Sequence, residues 1–168
     1  DDAQCAMIFV GEQYQYDQTV KVLHQTNVLK KVITVDPEIN LNGIDTSMAF
    51  GDFLKYGDGN EQDAELEKRQ NELSQDDLAT LIYTSGTSGE PKGVMIMQYN
   101  YTHQMRIHEK VMPCCDETKT SMMFLPASHI FERAWDYLCM YRGAMIYVNK
   151  NPKEILTSIK ETRPNMMC

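Results

Sequence analysis

Residues 78 to 97 constrain the architecture of this chain more than any other stretch. The apolar run Leu78-Ala79-Thr80-Leu81-Ile82-Tyr83 leads straight into Thr84-Ser85-Gly86-Thr87-Ser88-Gly89-Glu90-Pro91-Lys92-Gly93. A second apolar run, Val94-Met95-Ile96-Met97, follows. Short apolar runs bounded by turn residues read as buried strands. The ten residues between them hold four hydroxyls and three of the chain's nine glycines. Glycine lets backbone N–H groups turn toward an anion with no Cβ in the way. The hydroxyls add donors and Lys92 adds positive charge. The pattern predicts a phosphate-holding loop at a strand end, and its plainer alternative is a Ser/Gly-rich hairpin turn.

A Walker A loop does not fit. Counted from Gly86, Pro91 stands where its second glycine belongs, and Gly93 where its Mg²⁺-binding hydroxyl belongs. The segment after the loop suits a strand rather than a helix, so no helix dipole is expected to assist the phosphates.

Length and charge narrow the classes. A chain of 168 residues buries one core, which predicts a single domain. The net charge of −8 argues against nucleic acid or an anionic membrane as the main partner. That charge is local: residues 58–77 carry eight acidic and two basic side chains and little apolar surface. They predict an acidic surface helix or connector, with an interaction surface as the less economical reading. No apolar run is long enough to span a membrane and no signal peptide opens the chain. The start at Asp1 rather than Met suggests a processed or excised end. Five cysteines, an odd number without a Cys-x-x-Cys pair, predict reduced thiols and a cytoplasmic setting.

Strands and helices alternate elsewhere. Strands are expected over 5–10, 31–35, 119–125 and 144–148, and helices over 14–26 and 99–112, with one or two helical turns over 50–56. The clearest helix carries Ile130, Phe131, Ala134, Trp135, Leu138 and Cys139 as one stripe. Ser128 is placed to cap it and Gly143 to end it. A last helix opens at Asn151 (N-cap), Pro152 (first turn) and Glu154 (reaching back), and Arg163-Pro164 closes it. Repeated strand–helix–strand units predict an α/β fold, a mostly parallel sheet flanked by helices.

A second chemical cluster is Phe124-Leu125-Pro126-Ala127-Ser128-His129-Ile130-Phe131-Glu132-Arg133: a strand end, a proline stop and a helix start with His129 in the first turn. Ligands gather at strand C-terminal ends in open α/β sheets. The helix dipole disfavours a charged ring there, so a neutral imidazole is expected. His24, His103 and His108 share no spacing that would make a metal site. Trp135 suits packing and, secondarily, a tunnel wall. The twelve methionines suit an adaptable pocket or an ordinary core.

Together the two clusters resemble the adenylate-forming superfamily of acyl-CoA synthetases, luciferases and peptide-synthetase adenylation domains. The loop is similar to its phosphate-binding signature, and Leu125-Pro126-Ala127-Ser128-His129 to its Leu-Pro-x-x-His motif. The continuation Ile130-Phe131-Glu132-Arg133 looks most like the long-chain fatty acyl-CoA synthetase branch. The resemblance implies a fatty acid–CoA ligase using ATP, Mg²⁺ and coenzyme A, with peripheral membrane contact open for the whole protein. It implies that Ser85, Gly86, Thr87, Ser88 and Gly89 wrap the β- and γ-phosphates, that Lys92 lends charge or pins the loop, and that Thr84 contacts Mg²⁺. It also implies that His129 lies near the acyl carboxylate.

The chain departs from the family in two respects. Met97-Gln98 stands where many relatives carry Thr-His. The Tyr-Gly-x-Thr-Glu, Thr-Gly-Asp, hinge and catalytic-lysine motifs are not in this sequence. The expectation is therefore an internal piece of the N-terminal domain, inactive alone and prone to self-association through uncovered strands. The alternatives are a short-chain synthetase, an adenylation domain, or a non-catalytic nucleotide-binding or scaffolding module.

Overall fold

A computed structural model describes residues 2–59, 62–86 and 89–168. They gather into two compact units, Asp1–Glu72 and Leu73–Cys168. The first unit is built from β1 (Met7–Val10), α1 (Gln13–Leu23), β2 (Lys31–Thr34), β3 (Ser47–Ala49), α2 (Phe50–Lys55) and α3 (Asp63–Glu72). β1 pairs with β2 and β2 with β3, both in parallel. β1 starts at Met7 rather than Cys5, and just before it the Ala6 carbonyl accepts from the amides of Lys30 and Lys31. β3 has no apolar run to announce it and was not anticipated.

Val10, Tyr16, Leu23, Val32 and Ile39 form this unit's core. Tyr16 is fully buried, and its hydroxyl donates to the Leu41 carbonyl at 2.7 Å with the Ser47 hydroxyl 3.0 Å away. That removes the desolvation cost of a buried phenol. On the other side of β1, Met7 and Phe9 are half exposed, and Phe9 meets Phe50 and Phe53 edge-on at 6.3 and 5.7 Å. The predicted acidic helix is α3, which buries none of its residues.

The second unit opens with β4 (Leu78–Thr84) and β5 (Lys92–Met97), then α4 (Gln98–Val111), β6 (Thr120–Met123), α5 (Ile130–Tyr141), β7 (Met145–Val148), a 3₁₀ turn (Pro152–Glu154) and α6 (Ile155–Thr162). β6 and β7 pair in parallel, and Met166 bridges to Ser121 of β6, also in parallel. β4 and β5 are antiparallel, with Thr84 opposite Lys92 and Tyr83 opposite Gly93. The parallel expectation therefore holds for three strand pairs and yields at the fourth. A connection this short cannot make a crossover.

Three local expectations are corrected. α5 is capped by His129 rather than Ser128, because His129 has extended backbone while Ser128 lies inside a turn closed by the His129 amide on the Pro126 carbonyl at 2.8 Å. The strand expected to reach Leu125 stops at Met123, since the Phe124 amide is bound by a side chain of α5 instead of a neighbouring strand. The last helix begins as a 3₁₀ turn, where Asn151 Oδ1 accepts from the Lys153 amide and Glu154 contributes its backbone N–H to the Asn151 carbonyl. Arg163, at φ +46°, ends it in a left-handed turn before Pro164.

The α5 stripe divides its labour. Leu138 and Cys139 join Met105, Cys115 and Ala144 in the core, whereas Ile130 and Phe131 are 42% and 57% exposed. Trp135 packs against the core and donates from Nε1 to Ser121 Oγ at 2.8 Å. All five cysteines are free thiols.

Candidate functional site

The loop between β4 and β5 is shaped by backbone. Gly89, at φ +83°, turns its amide onto the Gly86 carbonyl at 3.2 Å. A Cβ at Gly86 would stand 2.5 Å from the Glu90 carbonyl oxygen, a distance no real side chain tolerates. The stem of Lys92 passes the same spot, its Cγ and Cδ 3.5 and 3.6 Å from where that Cβ would be. Gly93 faces the ring of Tyr83 across the hairpin, close enough that a Cβ would meet it at 3.1 Å. Glycine is thus required at 86 for close approach and at 89 for a left-handed turn.

Thr84 and Lys92 are brought together as cross-strand partners at the loop's roots. Thr84, Ser85, Gly89 and Lys92 are exposed and Gly86 is half buried. Thr87 and Ser88 lie outside the described residues. Among the described residues Lys92 pairs with no carboxylate, so its charge is available to an anion. Among them no group of three or more His, Cys, Asp or Glu could hold a metal. For a divalent cation the described loop residues offer the hydroxyls of Thr84 and Ser85 and the carboxylate of Glu90. So small an oxygen set suits an ion such as Mg²⁺, which keeps several waters and leans on substrate phosphates.

His129 is exposed at the start of α5, and its ring Nδ1 accepts from the Phe131 amide at 3.4 Å. An accepting Nδ1 leaves the ring proton on Nε2. His129 belongs to the β6–α5 turn, and its ring bond goes to its own helix rather than to the β4–β5 loop. The link between the two segments is Arg133, which donates from Nε to the Ala127 carbonyl and from Nη1 to Thr80 Oγ1 of β4, each at 3.0 Å.

Beside these segments lies an apolar groove of about 560 Å³. Val94 and Ile96 of β5, Tyr101 of α4, and Phe131, Ala134 and Trp135 of α5 form most of its wall. This volume is ordinary for a small-molecule cleft, commonly about 300–1,000 Å³. Two polar groups in the wall are tied to protein: Gln104 Nε2 donates to the Ala134 carbonyl at 3.3 Å, and His108 Nδ1 donates to the Gln104 carbonyl at 2.8 Å, whereas the buried Tyr101 hydroxyl has no hydrogen-bond partner among the described residues. Sequence reasoning gave α4 no role. Tyr101, Gln104 and His108, spaced i, i+3 and i+7, were the available signal that one face of this helix looks at the groove.

Acidic groups lie on another side of α5. Glu132 is fully buried, its Oε1 accepting from the Phe124 amide at 3.0 Å and its Oε2 from the Cys168 thiol at 2.9 Å. One turn on, Asp136 is 7% exposed and its Oδ1 has no hydrogen-bond partner. Burial, and then the charge of Glu132, raise the Asp136 carboxyl to about 6. Burial and the Glu132 carboxylate likewise push the Cys168 thiol up to about 12.

The family described as "AMP-binding enzyme" matches residues 1–168, spanning both units. Long chain acyl-CoA synthetase 3 of Arabidopsis thaliana is 28% identical over 99% of this chain and 26% of its own length. Fatty acyl-CoA synthetase A of Dictyostelium discoideum is 33% identical over 71% of this chain and 17% of its own. The structure of the anthranilate CoA ligase AuaEII in complex with anthranoyl-AMP superposes with a TM-score of 0.78 at 15% identity, covering 99% of this chain and 31% of that one. The chain thus spans about a quarter or less of the two curated relatives. With the β4–β5 loop, the His129 turn and a match over its whole length, this chain belongs to the AMP-binding enzyme family.

Proposed function

We propose that this chain is the phosphate- and acyl-binding part of an ATP-dependent long-chain fatty acid–CoA ligase. In that reaction a fatty carboxylate oxygen attacks the α-phosphorus of ATP and expels pyrophosphate. The thiol sulfur of coenzyme A then attacks the acyl carbonyl and expels AMP. The observation that carries the reading is the apolar groove running along β5, the strand that leaves the glycine–hydroxyl loop. One hairpin would then serve both the nucleotide's tail and the acid's hydrocarbon.

The residues divide the work by chemistry. Backbone amides of residues 85–89, with the hydroxyls of Ser85, Thr87 and Ser88, would donate to the β- and γ-phosphates and stabilise the departing pyrophosphate. Lys92 would add an unpaired positive charge. Thr84 would supply one oxygen to Mg²⁺, which when bound neutralises phosphate charge. His129, with Nδ1 occupied by its helix, would present Nε2–H as a donor to the carboxylate. The groove would take the alkyl chain, at about 0.8 kcal/mol per buried methylene. Among the described residues its wall holds no carboxylate, which a free α-ammonium group would require. This favours a fatty acid over an amino acid.

The test is pyrophosphate exchange into ATP by the full-length protein. Exchange that depends on a fatty acid, and weakens by roughly tenfold in KM for every two methylenes removed from a long chain, is the expected result. Exchange dependent on an amino acid would move the assignment to an adenylation domain. Exchange with no carboxylate at all would leave a nucleotide-binding or scaffolding module. Exchange that survives replacement of both Thr87 and Lys92 by alanine would remove the loop from the mechanism.

Among the described residues no helix is long and apolar enough to cross a membrane; peripheral membrane contact of the whole protein is part of the proposal. The chain by itself would be inactive and would self-associate through half-exposed sheet faces such as Met7 and Phe9. A strictly monomeric species in sedimentation at high concentration would contradict the latter.

A further inference from the structure

Glu132 and Arg133 have no chemical task in the mechanism above, yet both are expensive to keep where they are. Glu132 is a fully buried carboxylate whose hydrogen-bond partners are an amide and a thiol. Such a charge is commonly less stable than an apolar side chain of the same size. Arg133 is half buried and, among the described residues, has no carboxylate partner. It sends two arms of its planar fork in different directions, to a carbonyl and to a hydroxyl.

What these two neighbours hold in common is one short turn. Glu132 Oε1 takes the Phe124 amide at its start. Arg133 Nε takes the Ala127 carbonyl in its middle at 3.0 Å. At its end the His129 carbonyl accepts the first helical bond from the Arg133 amide at 3.1 Å, which is independent of the side chain there. Arg133 Nη1 then fastens the assembly to Thr80, on the strand that leads into the glycine–hydroxyl loop. The turn contributes only one internal bond of its own, from the His129 amide to the Pro126 carbonyl.

We infer that Glu132 and Arg133 are positioning residues for His129, clamping the turn 124–129 onto the first turn of α5 and onto β4. The clamp acts through placement and rests on the reading that His129 meets the substrate carboxylate. Displacing a group by about 1 Å can cost on the order of a hundredfold in rate, so a buried charge is a tolerable cost for holding one ring still.

The experiment uses the full-length protein, palmitate as the acid, and His129→Ala, Arg133→Ala, Arg133→Lys and the double variant His129→Ala/Arg133→Ala. Arg133→Ala is expected to raise KM for palmitate by roughly ten- to a hundredfold while KM for ATP stays at its wild-type value. Arg133→Lys, which keeps the charge but not the fork, should recover only part of the loss. The double variant should be no worse than His129→Ala alone, because the arginine acts through the histidine. Fully additive losses would overturn the clamp.

If His129→Ala leaves the palmitate KM unchanged, the carboxylate reading fails and the clamp is judged on hydrogen exchange alone. There, Arg133→Ala must speed exchange of the 124–129 amides and leave 130–141 protected. Unchanged exchange at 124–129 sinks the proposal. Should Arg133→Ala fail to fold, Arg133→Lys is measured in both assays against the same criteria.

Discussion

The two segments that frame the candidate site are held by opposite means. The β4–β5 loop is shaped from within: a left-handed Gly89, a Gly86 pressed against the Glu90 carbonyl, and hydroxyls at 84 and 85 left facing solvent. The β6–α5 turn is shaped from outside, by two side chains of α5 that bind its backbone at two points, at Phe124 and Ala127. A loop that must surround a polyanion does best to keep its donors unspent. A turn that must aim one imidazole does best to have its backbone bonds already made. On the proposed function, the difference would let one site combine donors kept in reserve with a ring fixed in advance.

The comparison breaks most readily at Gly86. Replacement by alanine drives a methyl into the Glu90 carbonyl and should cost at least about a hundredfold in fatty-acid-dependent pyrophosphate exchange. The far-ultraviolet circular dichroism should stay unaltered, because the clash is confined to the loop. A smaller loss would mean that the loop's outline matters less than its charge.

Next is the acidic face of α5. Because the Asp136 carboxyl is raised to about 6 in the fold against 3.9 or so in the unfolded chain, the folded state holds its proton more tightly. Its contribution to stability is present below about pH 4 and lost as pH rises through about 6. Asp136→Asn should therefore match the wild type near pH 3.5 and exceed it by about 2 kcal/mol at pH 7, read from urea unfolding at several pH values. A constant difference across that range would refute the assignment.

Gly89→Ala should be milder, about 1–2 kcal/mol for a left-handed residue with a Cβ, visible as a lower melting temperature with phosphate-loop activity reduced rather than lost. An unaffected melting temperature would show that residue 89 can leave the left-handed region freely.

The smallest effect concerns thiols. Cys5 and Cys114 are exposed and should react with iodoacetamide in the native protein well before Cys168, whose thiol is engaged with Glu132. Equal labelling rates would show that the second oxygen of Glu132 is unoccupied and that the clamp is looser than its geometry indicates.

Legibility in the sequence followed the range of the forces involved. The α5 stripe and the glycine–hydroxyl loop are local patterns, so helix, loop and both strands of the hairpin could be read directly. The sense of pairing between β4 and β5 was also readable, since residues 85–91 are too few for a crossover. The general rule of alternating units drew attention away from it. β3 could not be read, because Ser47-Met48-Ala49 owes its extended form to pairing with β2 rather than to its own composition. The cap at His129 rather than Ser128 was also out of reach. It depends on where the chain turns after Pro126, and that is decided by Arg133 and Glu132 reaching back from the helix. The α4 wall of the groove lay within reach at 101, 104 and 108 but carried no recognisable chemistry to prompt the search.

Trp135 is the single tryptophan of this chain, and it stands with one side toward the groove and its indole N–H on Ser121. The chain therefore carries its own optical gauge. Hydrocarbon entering the groove would drain solvent from around the indole and move its fluorescence emission to shorter wavelength, reporting occupancy without any label and before any chemistry occurs.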